Sequence, residues 1–148
     1  MSDNTSPSAA NTDEATTLRA ALDARRIAIV GLSANPARPS YDVASYLVRA
    51  TGYELVGVNP GVRDAVLGIP MYPTLAAVPG RIDMVDVFRA ADALPEVVED
   101  TIAVDAPFLW TQFGVVHAAA LERARSAGLR CVVDRCLKIE HARHGGPR

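Results

Sequence analysis

The chain has 148 residues, 49% of them hydrophobic, 22% charged and 5% aromatic, which describes about one folded domain and excludes a long disordered protein. Fifteen basic against seventeen acidic residues leave a formal net charge of −2, so no global positive field draws the chain to nucleic acid or to an anionic membrane, and neither is an expected partner. Any anion site therefore has to be local, and no apolar run approaches the roughly 18 residues of a membrane span.

Met1 to Asp13 are small and polar, with neither a basic n-region nor an apolar h-region. They read as a disordered tail and not as a signal peptide. Thr17 to Ala24 form a short helix with Leu18 and Leu22 on one face. Ile27 to Val30 is the first strand, a run rich in β-branched residues ending at Gly31 and buried on both faces. Val43, Ala44, Leu47 and Val48 then repeat at helical spacing until Gly52. Tyr53 to Val58 is the second strand, and a short turn or helix lies near Thr74 to Val78. Ile82 to Phe88 is the third strand. Pro95 opens a helix at a first-turn position, where its missing N–H does no harm. Phe108 to Gln112 is the fourth strand, Val115 to Ala124 a helix ending at Gly128, and Leu129 to Val133 the fifth strand. Lys138 to Arg148 read as a polar tail.

This alternation predicts one doubly wound α/β domain over residues 14–144, between the tail of residues 1–13 and a flexible end at residues 145–148. Its parallel sheet has five strands in the order 3-2-1-4-5, with helices on both faces. Ligands of such sheets bind at the carboxyl ends of the strands where the winding reverses, expected here at strands one and four. Most of the unusual residues fall at strand ends. Gly31 lets a phosphate approach the backbone, and Ser33, Asn35 and Ser40 offer short polar groups. The N–H groups of the helix start near Ser40 and Tyr41 favour an anion. Arg38 adds a fork that grips phosphate bidentately. Gln112 and Gly114 follow strand four at the expected switch point. There Gln112 either bonds a ligand's amides or ties down the loop backbone.

The three-glycine dinucleotide fingerprint is absent after strand one, where Gly31 stands alone. An NAD site also expects an acid at the end of strand two, and this chain has Asn59, Pro60 and then Arg63. A phosphorylated ribose fits better, either the 2′-phosphate of NADP or the 3′-phosphate of coenzyme A.

The segments GLSANPARPSYDVASYL, VNPG, DMVDVFRAADALPEVVE and VVDRCLKIEHAR resemble, in order and from about Arg26 to Arg143, the small stand-alone CoA-binding proteins. Those domains are similar to the CoA-binding domain of the succinyl-CoA synthetase alpha subunit. The resemblance implies a Rossmann-like fold holding coenzyme A, with Gly31, Leu32, Ser33, Asn35, Arg38, Pro39 and Ser40 as the phosphate-binding loop. Val58, Asn59 and Pro60 would line the adenosine end, with Phe88 and Arg89 as another wall. Tyr41 beside the loop and Arg63 as a 3′-phosphate contact are additions to the family pattern. The synthetase's reaction is not implied, because its phosphorylated histidine lies in a following domain and its nucleotide is handled by another subunit.

His117, His141 and His144 show no zinc-ligand spacing and read as surface residues, so no metal is expected. No nucleophile has a paired base, so no catalytic residue is assigned. Cys131, Trp110 and Phe108 read as core. Cys136 reads as a small residue closing the last strand; were it at the crevice, its basic neighbours would suit a mixed disulfide with the thiol of CoA. The sequence thus predicts a cytoplasmic, non-catalytic module for CoA or an acyl-CoA. The alternatives are an NADP-dependent oxidoreductase and an interaction protein with a vestigial pocket.

Overall fold

The computed structural model describes residues 7–146. Two helices open and close the chain, α1 (Pro7–Leu22) and α5 (Leu137–His144), and between them strands alternate with helices. The strands are β1 (Arg26–Val30), β2 (Glu54–Val58), β3 (Met71–Tyr72), β4 (Met84–Val87), β5 (Phe108–Thr111) and β6 (Arg130–Val132). The intervening helices are α2 (Pro39–Ala50), α3 (Leu94–Ala103) and α4 (Ala118–Ser126). No helix among the described residues is long and apolar enough to cross a membrane.

All six strands are parallel, in the order β3-β2-β1-β4-β5-β6. The predicted doubly wound α/β sheet is present with six strands where five were expected. Met71–Tyr72 takes third place, so the expected third strand, Ile82 to Phe88, contains β4. It pairs with β1 and not with β2. The winding therefore reverses between β1 and β4, and β5, expected beside β1, lies one strand further out. Two residues carry no readable period, and what admits β3 is its neighbour: a Cβ on Gly57 would collide with Met71 Sδ.

Both faces of the sheet are covered, which is why the inner strands read as continuous apolar runs. Ile27, Ile29, Met84, Trp110 and Val132 pack under Leu18 and Leu22 of α1, Val43, Ala44 and Leu47 of α2, and Leu137 of α5. Ala28, Val30, Val85, Val87 and Leu109 pack against Leu94, Val97 and Val98 of α3 and Leu121 and Ala124 of α4.

Both chain ends differ from the sequence reading. Helix α1 starts at Pro7, inside the segment read as disordered, and Tyr53 Oη donates to its Leu22 carbonyl at 2.6 Å. Residues 1–6 of that segment, and 147–148 of the expected flexible end, lie outside the described residues. The polar stretch from Lys138 is helical, and His141, read as a surface residue, is buried. Its polar burial is compensated: His141 Nδ1 meets Tyr46 Oη at 2.9 Å. The buried Glu140 carboxylate lies 3.8 Å from both Arg135 and Arg143 and 3.5 Å from His144.

Candidate functional site at the strand ends

At the carboxyl ends of β1 and β4 the two strands come very close. Gly31 N donates to Val58 O and Phe88 N to Val30 O, each at 2.8 Å. Gly31 has φ +92°, and a Cβ there would stand 2.6 Å from the Phe88 carbonyl oxygen. That oxygen belongs to backbone held in the sheet and cannot move aside cheaply. Gly31→Ala is therefore expected to cost about 3 kcal/mol, from left-handed strain and overpacking together, read from the midpoint of urea unfolding. A loss below about 1 kcal/mol would refute the close-approach account.

Gly31, Phe88 and Arg89 form a ridge shared by two clefts. The first, of about 470 Å³, lies on the α2 side, where Ser33, Arg38, Pro39 and Ser40 line it opposite Gln112. The second, of about 540 Å³, lies on the α3 side, and Val58, Asn59 and Pro60 line it with Thr74, Glu96 and Asp100. Of the predicted loop residues, Ser33, Arg38, Pro39 and Ser40 line the first cleft; the predicted adenosine-end residues line the second, and Gly31 and the predicted wall residues form the ridge between them.

The loop after β1 is built from its own short polar side chains. Ser40 Oγ accepts from Ser33 N at 3.0 Å, Ser33 Oγ from Asn35 N at 3.0 Å, and Asn35 Oδ1 from Ala37 N at 2.9 Å. Asn59 does similar work after β2: its Nδ2 donates to Leu32 O at 3.1 Å and its Oδ1 accepts from Gly61 N at 3.0 Å. These oxygens shape the walls. What remains for a ligand is the exposed Arg38 and the start of α2, where Arg38 occupies the cap position without a side-chain cap; Pro39 has no N–H and Tyr41 N is bonded to Arg38 O at 3.1 Å, which leaves the Ser40 N–H. An uncapped helix start beside a guanidinium attracts an anion.

Several predicted residues line neither cleft. Leu32 is fully buried in the core, and Tyr41 packs half-buried against it. Asn35 and Arg63 are exposed on their loops and line neither cleft, so the ribose-phosphate contact expected of Arg63, for CoA as for NADP, lies outside both. Gly114 is exposed, its N–H donating to Asp134 Oδ1 at 2.8 Å. Val43, Phe113 and Val115 complete the first cleft and were not read from the sequence; Phe113, 64% exposed, carries the clearest signal, a large aromatic in a strand-end loop. Cys136 is buried and does line the first cleft, so it does more than close β6. In the second cleft the Asp100 carboxyl is raised, by burial first and by Glu96 next, with Arg89 opposing.

A family profile described as a CoA binding domain matches residues 25–142. Among curated proteins, the Bacillus subtilis (strain 168) uncharacterized protein YneT is 40% identical over 118 residues, which are 80% of this chain and 86% of that one. Among solved structures, a hypothetical protein from Pyrococcus horikoshii OT3 is 33% identical with a TM-score of 0.81, over 88% of this chain and 90% of its own. A Thermus thermophilus protein solved as cell-free ID.343 is 33% identical with a TM-score of 0.80, over 86% of this chain and 96% of its own. The profile spans the sheet and both clefts, and the chain belongs to the family of CoA binding domains.

Proposed function

We propose that this protein binds coenzyme A or an acyl-CoA as a cytoplasmic ligand module with no turnover of its own. The observation that carries the reading is the pair of clefts meeting at Gly31, Phe88 and Arg89. A ligand with an anionic middle and two unlike ends suits two compartments joined at a close backbone ridge. In this reading the pyrophosphate lies in the first cleft, on Arg38 and the open start of α2. The adenosine lies in the second, where Glu96 and Asp100 offer acceptors to the purine amino group. The pantetheine arm runs from the pyrophosphate along the first cleft toward Gln112 and Cys136. Two free cysteines accord with a reducing compartment.

Calorimetric titration of ligand-stripped protein with CoA, acetyl-CoA, NADP and NAD in one buffer tests the proposal. CoA or acetyl-CoA should bind more tightly than either dinucleotide. Preference for NADP would replace the reading with an oxidoreductase, and no binding of any of the four would replace it with an interaction protein. Arg38→Ala is expected to weaken CoA binding by about 1.5–3 kcal/mol, the scale of a hydrogen bond to a charged group. An unchanged dissociation constant would remove Arg38 from the phosphate site.

A further inference from the structure

Strand β4 carries one carboxylate in an otherwise apolar run. Asp86 is fully buried, with Ile29 of β1 and Trp110 of β5 as its register partners. Its Oδ1 accepts from Gln112 Nε2 at 2.5 Å, and its Oδ2 has no hydrogen-bond partner among the described residues. None of the ion pairs among those residues includes Asp86. A buried charge with one neutral hydrogen bond and no counter-ion is costly. Burial pushes the Asp86 carboxyl up to about 7, against the opposing pull of the Gln112 hydrogen bond, so both its forms are populated near neutrality.

A carboxyl group and a primary amide fit each other in two ways. Ionised Asp86 accepts an N–H from Gln112, which leaves the amide oxygen as that side chain's free polar atom. Protonated Asp86 donates its O–H to the amide oxygen once the amide has turned over, which leaves the NH₂ group free. Gln112 is 5% exposed and lines the first cleft, so the end turned away from Asp86 is the one a ligand meets.

We propose that Asp86 is a positioning residue whose proton sets the direction of the Gln112 amide, and with it whether the floor of the first cleft offers a ligand an acceptor or a pair of donors. The titratable groups on the same face of the sheet include Tyr53 ahead of β2, Tyr41 and Tyr46 of α2, and Cys136, Glu140 and His141 of the α5 segment. Of these Tyr53 feels Asp86 electrostatically, and burial first of all holds its phenol neutral. Arg38 and Arg89 are the cations lining the cleft. A phosphate or carbonyl oxygen selects the protonated pair, and an amide N–H or hydroxyl donor selects the ionised pair. The first step of this inference concerns the protein alone; only the second, recognition, rests on the CoA reading above.

The test begins on the ¹⁵N-labelled, ligand-free full chain. The Gln112 side-chain amide signals, identified by their loss in Gln112→Met, should shift between pH 5.5 and 8.5 with a midpoint near 7. The Asp86 carboxyl carbon in the same wild-type sample should share that midpoint, and Asp86→Asn should abolish the shift. A Gln112 amide that stays still, has a midpoint unlike that of Asp86, or titrates unchanged in Asp86→Asn would overturn the proposal. CoA calorimetry at pH 7 in two buffers of different ionisation enthalpy then reads recognition. Wild type should exchange protons on binding, with an affinity changing severalfold between pH 6 and 8, and Asp86→Asn should show both effects reduced to the part that the ligand's own 3′-phosphate supplies. Proton exchange equal in both proteins, or absent from wild type, would break the link to the cleft. No CoA binding at any pH, with the amide titration present, would refute the CoA reading and leave the amide switch supported.

Discussion

Trp110→Ala should lower the free energy of unfolding by about 3–5 kcal/mol, the range for removing a large buried aromatic side chain. Trp110 is fully buried on β5, paired in register with Asp86 on one side and Val132 on the other. It belongs to the core that α1, α2 and α5 close. Its Nε1 donates to Arg135 O at 2.8 Å, so the substitution opens a cavity and also strips a carbonyl in the β6–α5 connection. Trp110→Phe separates the two contributions, since most of the volume returns while the N–H does not. Its loss should be about 1–2 kcal/mol, a hydrogen bond with a small cavity. Urea unfolding of the three proteins checks both figures. A Trp110→Ala loss below about 1.5 kcal/mol would mean that the core collapses around the gap.

Asp86→Asn should stabilise the protein at high pH and change little at low pH. An acid whose native pKa of about 7 stands above its ordinary 3.8 keeps its proton in the folded state while the unfolded chain releases it. Its contribution is therefore fully present below about pH 4 and is lost as pH rises through about 7. Asparagine keeps both hydrogen-bonding options toward Gln112 and carries no charge to desolvate. The gap between variant and wild type should open from near zero at pH 4 to on the order of 4 kcal/mol at pH 8.5, from 1.36 kcal/mol per pKa unit over roughly three units. Unfolding curves at the two pH values read this difference directly, and other titrating groups cancel in the comparison. Equal gaps at pH 4 and pH 8.5 would show that Asp86 carries no shifted proton.

The elements that could be read from the sequence are those whose physics is local and repetitive. The apolar runs of β1, β2 and β4 announce strands buried on both faces, and Pro95 announces the start of α3. Strand β3 has no such pattern, because two residues cannot show a period and its place depends on Gly57 across the pair. Helix α5 read as a tail because Glu140 and His141 look solvent-seeking. Their burial depends on Arg135, Arg143, His144 and Tyr46, partners that only the fold brings together. At the site, the strand-end rule pointed to Gly31, Arg38, Asn59 and Arg89, which line the two clefts, and misplaced the reversal by one strand because β3 was missing. Asp86 passed as part of a strand, although a carboxylate amid Met84, Val85 and Val87 was the visible signal of something unusual.

The strand order has a consequence at the margins of the sheet. Its two outermost strands are β3, with two residues, and β6, with three. An exposed strand edge is a template on which a foreign strand can be laid, and short edge strands are one way natural sheets remove that hazard. Here so few unpaired backbone groups face outward at either side that a passing strand gains little by docking there. The longer apolar strands β1, β2, β4 and β5 are kept in the interior, each paired on both sides, so the sheet offers little on which to grow sideways.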